Sequence, residues 1–146
     1  MKKILIFLLL FYGQTFALER ESTIRLYEHI FSALSSSHPI AVYVEDPEYR
    51  EVFLYAKNIV LAKDIQSADV ALITKRAMLE KVLRTKTKYR AVLFATSYRM
   101  LEDSKEVIGA SYWKKGRVQL LFVAERLKAH GIVLPDEYEK FTVDEL

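Results

Sequence analysis

Four short apolar runs constrain this fold more than any other feature of the chain. They read "IAVYV" at 40–44, "NIVLA" at 58–62, "DVALIT" at 69–74 and "AVLFAT" at 91–96. Each is too short for a helix of ordinary length. The first is an unbroken apolar run that marks a strand buried on both faces, and the other three read as further strands. Helical signals separate the runs. Residues 19–34 carry Ile24, Tyr27, Ile30, Phe31 and Leu34 at helical spacing, and "SSSHP" ends that helix. Asp46-Pro47 opens the next one, with Asp46 as N-cap and Pro47 at the first helical position. Further helices are predicted over 75–84 and 97–103. Strands alternating with helices predict an α/β domain built on a mostly parallel sheet with crossover helices.

The last third breaks the alternation. "VIGASYW" at 107–113 and "RVQLLFV" at 117–123 flank Lys114-Lys115-Gly116. This pattern predicts a C-terminal antiparallel hairpin with Gly116 at positive φ. A turn at Lys115-Gly116 sets Lys114 opposite Arg117, Trp113 opposite Val118, Ser111 opposite Leu120 and Gly109 opposite Phe122. A closing helix is predicted over 124–131, with Gly131 as its C-terminal cap. The acidic tail is expected to add one more short helix.

The first seventeen residues are expected to be a secretory leader rather than part of the domain. Lys2 and Lys3 precede an apolar run from Ile4 to Tyr12. Thr15 and Ala17 place small side chains at a cleavage site. The run is about half of the roughly 20 residues that a bilayer span needs, so no permanent transmembrane anchor is expected. Residues 18–146 then form a single α/β domain, located in the periplasm or secreted. The chain has 22 basic and 19 acidic residues. Lys2 and Lys3 leave with the leader and no acid does, which brings the balance to 20 against 19. That near-neutral charge argues against nucleic acid as a partner.

The sequence contains few catalytic signatures. It has no cysteine, so thiol chemistry and disulfides are excluded. Only Gly109, Gly116 and Gly131 follow the leader, too few for a phosphate-cradling loop. No G-x-S-x-G elbow is present. His29, His38 and His130 lack paired metal-ligand spacing. A non-enzymatic role is therefore the expectation, with no cofactor and no metal.

Two groups of residues remain as binding candidates. Ligands of parallel sheets bind outside the carboxyl ends of the strands. Those ends carry Glu45-Asp46, then Thr74, Lys75 and Arg76, then Thr96, Ser97, Tyr98 and Arg99. Helix capping accounts for Asp46, Thr74 and either Thr96 or Ser97. It does not require Arg76 or Arg99, so a small anion could be held between these loops. The second group is the hairpin tip, where Trp113 stands beside Lys114, Lys115 and Arg117. Two readings are open for it. The tip is either a solvated turn with Trp113 folded inward on Val118, or a docking point that uses the aromatic for area and the cations for orientation.

The segment "VIGASYWKKGRVQLLFVAERLKAHGIVLP" at 107–135 resembles the closing strand pair and helix of YfiR/HmsC-type small periplasmic proteins. The chain lacks the aromatic-Trp-Pro motif that such proteins carry after their first helix, reading "SSSHPIAVYV" instead. The resemblance implies a three-layer Rossmann-like domain that restrains a membrane-bound diguanylate cyclase from the periplasmic side. The expected function is thus a regulatory or protein-binding module in envelope signalling, with a protein partner such as a membrane sensor. Homo-oligomers remain open. The alternative is a periplasmic binder of a small anion, because "SADVALIT" and the strand-helix alternation also resemble half of a solute-binding protein.

Overall fold

A computed structural model describes residues 19–85 and 88–146. The expected leader, residues 1–17, and the cleavage point at Leu18 lie outside them. The first helix, α1, covers 19–34, the span its apolar spacing predicts. Next come β1 (Ile40–Tyr43), α2 (Pro47–Phe53), β2 (Ile59–Leu61), a 3-10 turn (Ile65–Ser67), β3 (Val70–Ile73) and α3 (Arg76–Leu83). The chain continues through β4 (Val92–Ala95), α4 (Tyr98–Asp103), β5 (Val107–Lys114), β6 (Arg117–Val123) and α5 (Ala124–Ala129). A second 3-10 segment (Asp136–Phe141) leads into β7 (Thr142–Val143).

All strands join one seven-stranded sheet in the order β2-β1-β3-β4-β5-β6-β7. The first five are parallel. β6 is antiparallel to β5, and β7 runs parallel to β6. This is the α/β class the sequence predicts, mostly parallel with a hairpin near its C-terminus. The acidic tail forms the expected short helical segment and also β7, which the sequence pattern does not reveal.

Alternate residues of the central strands feed two cores. Val70 and Leu72 of β3, and Val92 and Phe94 of β4, join α1, α2 and Tyr138 in the first core. Ala71, Ile73, Leu93 and Ala95 join α3 and α4 in the second. Both faces of β3 and β4 are therefore sealed, which explains their unbroken apolar runs. β1 departs from that expectation. Ala41 and Tyr43 are only half-buried, because the single 3-10 turn after β2 covers little of their face.

The hairpin base is fixed from below by α5. Arg126 donates from one guanidinium nitrogen, Nη1, to the carbonyls of Leu101, Ser104 and Val107 at 2.8–3.0 Å. These three acceptors lie in the last turn of α4, at its C-cap and at the first residue of β5, so one side chain ties the helix end to the strand start. Arg126→Met keeps much of the side-chain bulk and removes the donors. It is expected to cost about 2 kcal/mol in denaturant unfolding.

The hairpin register agrees with the sequence at every pair named above, from Lys114 opposite Arg117 to Gly109 opposite Phe122. Gly116 has φ 75°, as expected, and Lys115 is also left-handed at φ 54°. Two left-handed central residues define a type I′ turn, which favours Asn-Gly. A lysine in that conformation is strained by about 1 kcal/mol. Lys115→Asn is therefore expected to raise stability by roughly 0.5–1 kcal/mol. Gly116→Val should lower it by about 1 kcal/mol or more, because a branched side chain tolerates that φ poorly. Chemical denaturation of the two variants checks both signs.

Candidate functional site

β4 pairs with β5 only as far as Ala95 opposite Ala110. β5 continues to Lys114, so the hairpin rises beyond the carboxyl ends of the parallel strands. Both candidate groups therefore lie at the same end of the sheet. The strand-end loops form its floor, and the hairpin tip stands at one side. Tyr112 meets Tyr98 at the start of α4, with ring centroids 5.7 Å apart, and braces the hairpin against that floor.

Along the floor, side chains already satisfy one another. Lys81 Nζ donates to Glu45 Oε1 at 2.7 Å, and the Tyr43 hydroxyl donates to the same oxygen at 2.7 Å. The bond from Lys81, then that from Tyr43, holds the Glu45 carboxyl below the usual carboxylate range. Partial burial, and then Glu45 itself, push the Tyr43 phenol up. A depressed carboxyl pKa stabilises the fold above the ordinary glutamate value and loses that contribution as pH falls through the folded value. Glu45→Gln should therefore melt below wild type at neutral pH, with the gap closing below about pH 4. Thermal melts across that range read the effect directly.

The anion-binding candidates divide on inspection. Asp46 caps α2, accepting from the backbone N–H groups of Glu48 and Tyr49 at 2.9 and 3.2 Å. Ser97 caps α4 through the Met100 N–H at 3.4 Å. Thr74 is not a cap. Lys75 holds the N-cap position of α3, in extended conformation and without a side-chain bond. With Ser97 as the cap, Thr96 is free of that role; its hydroxyl donates to the Ile73 carbonyl at 3.4 Å, tying β4 to β3. Arg76 contacts Glu80 at 3.5 Å and Asp103 at 3.8 Å, so two carboxylates offset its charge. Arg99 is exposed and makes no ion pair among the described residues. Capping thus explains fewer of these residues than the sequence suggests, and internal pairing occupies one of the two arginines.

At the tip, the two readings of Trp113 are resolved in favour of exposure. Its side chain is 74% exposed, and Val118 opposite it is 45% exposed. The inward option fails because α1 and α2 cover this face of the hairpin only as far as Ser111, which is buried near Tyr27. Lys114, Lys115 and Arg117 are exposed and form no ion pair among the described residues. The tip therefore presents a large aromatic, a branched aliphatic and three unneutralised cations together.

β6 contributes a feature that reading the sequence missed. β7 covers its outer edge only at Phe122 and Val123. Over 117–121 that edge meets no other backbone among the described residues. No local signal could have found it, since it follows from a two-residue strand pairing with a seven-residue one.

No helix among the described residues is long and apolar enough to cross a membrane. In comparisons with known proteins, the chain matches no family model, no curated protein and no solved structure.

Proposed function

We propose that this chain is a small exported protein that acts without catalysis, docking a protein partner through the β5–β6 tip in envelope signalling. The observation that carries the reading is the exposure of Trp113 beside Val118 and three unpaired cations. Trp and Arg are enriched where binding energy concentrates. A solvated turn has no need of a tryptophan, since full exposure forfeits the stabilisation that burying its ring would give. The leader-like pattern of residues 1–17 supports an exported location. The resemblance of 107–135 to YfiR/HmsC-type proteins supports a regulatory role with a membrane sensor as partner.

Site-specific photo-crosslinking in living cells tests this. A photoreactive residue replaces Trp113, with one at Leu54 as control, since Leu54 is 72% exposed on another part of the surface. The expected result is an adduct of discrete mass at 113 and none of that mass at 54. The adduct should fade when Lys114 and Arg117 are reversed to Glu. Equal labelling at both positions would return the tip to a plain solvated turn.

A further inference from the structure

We infer that the open edge of β6 takes a second copy of this chain, paired antiparallel about Gln119, to give a two-fold dimer with one continuous sheet. The inference rests on the tip being a docking point and assigns its occupant. A two-residue hairpin closes on a hydrogen-bonded pair, here Lys114 and Arg117. Bonded and non-bonded pairs then alternate, so Val118, Leu120 and Phe122 turn their N–H and C=O groups away from β5. Phe122 meets β7. Val118 and Leu120 are left with outward groups and no backbone partner among the described residues. An open edge with this pattern invites another strand.

The register follows from those two residues. A two-fold axis at Gln119 sets Val118 against Leu120 of the second copy, and Leu120 against its Val118. Each of these pairs exchanges two hydrogen bonds. An axis at Leu120 would press the second copy against Phe122, which β7 already occupies. An axis at Val118 would use less of the open edge. With the axis at Gln119, Trp113 and Val118 of both copies extend one apolar band on the same face, beside Leu120, which packs at the rim of the first core.

Charge selects a second copy over other strands. The register brings Lys114, Lys115 and Arg117 of each copy to the start of the other copy's β7. The segment leading into β7, Asp136–Phe141, carries Asp136, Glu137 and Glu139 against Lys140, and all four are exposed. Asp136 and Glu139 lie three residues apart in a 3-10 helix and so share one side. Each dimer would join a cationic tip to an acidic segment twice. Such an isologous contact is the usual form of a closed dimer.

Sedimentation velocity on the purified protein tests the assignment through charge swapping. Variant one is Lys114→Glu/Lys115→Glu, and variant two is Asp136→Lys/Glu139→Lys. All four positions are exposed, and circular dichroism checks that each variant folds. The wild type is expected to run at twice the chain mass. Each variant alone should dimerise roughly a hundredfold more weakly, because like charges then meet at both ends. An equimolar mixture of the two should recover the dimer, since every contact again joins opposite charges. Amide exchange should slow at Val118 and Leu120 on dimerisation and stay fast at Lys115. A wild type that remains monomeric at every concentration overturns the second copy but leaves the docking reading intact if the 113 adduct contains a different protein. A dimer whose variants are unaffected, or whose mixture shows no recovery, overturns the register.

Discussion

Gly109→Ala is expected to destabilise the domain by about 3 kcal/mol, near the upper end for one added methyl in a packed interior. Gly109 lies in β5 between Phe94 of β4 and Phe122 of β6. The rings of those two residues are 5.8 Å apart and close over the glycine. A Cβ at position 109 would stand 2.7 Å from Phe122 Cδ1 and 2.9 Å from the Leu121 carbonyl oxygen. The ring could rotate if space allowed, but Phe122 is fully buried. The carbonyl is backbone and moves only with the strand. The penalty should appear as a melting temperature lowered by roughly 10 °C. Phe122→Leu placed on Gly109→Ala should recover part of it by relieving the ring contact. The carbonyl contact sets the remainder. If the double variant is as unstable as the sum of its parts, the ring contact is not the cause.

Phe94→Ala should cost about 4 kcal/mol, from the lost transfer of a buried ring and the cavity left behind. Phe94 is fully buried at the centre of the sheet. Its ring meets Phe31 of α1 at 6.1 Å and Phe122 of β6 at 5.8 Å. The aromatic chain continues from Phe122 to Tyr138 at 5.7 Å, so one ring supports contacts across three layers of sequence. Phe94→Leu refills most of the volume and should cost about half as much. Denaturant midpoints at constant slope separate a change in stability from a change in unfolding mechanism. An alanine variant within about 1 kcal/mol of wild type would mean that the first core can collapse around the void.

Much of the architecture was legible because local signals agreed with one another. Asp46-Pro47 starts α2 at the residue predicted. The pattern around Lys115-Gly116 set the hairpin register because the side-chain period of a strand is two, and a one-residue slip would have inverted every position. Other features depend on distant neighbours. β7 has only two residues, and its pairing rests on Tyr138 seating beneath Phe122. Trp113 carries the same local pattern whether or not a helix lies above it. Its exposure follows from where α1 and α2 end over the sheet, a distance no local pattern encodes. Thr74 resembled a cap because threonine commonly is one, yet the N-cap position of α3 falls one residue later, at Lys75. Of the two acids that engage Arg76, Glu80 is one turn on in the same helix, whereas Asp103 lies on α4 and only folding brings it there.

The Tyr138 hydroxyl donates to the His29 carbonyl of α1 at 3.1 Å, across 109 residues of chain. The first core therefore holds residues from near both limits of the described chain. Loop closure over such a span is entropically costly and comes late relative to local contacts. Tyr138 thus acts as a latch between the two limits of the described chain, and a chain truncated before it should leave Phe122 reachable by solvent and by proteases.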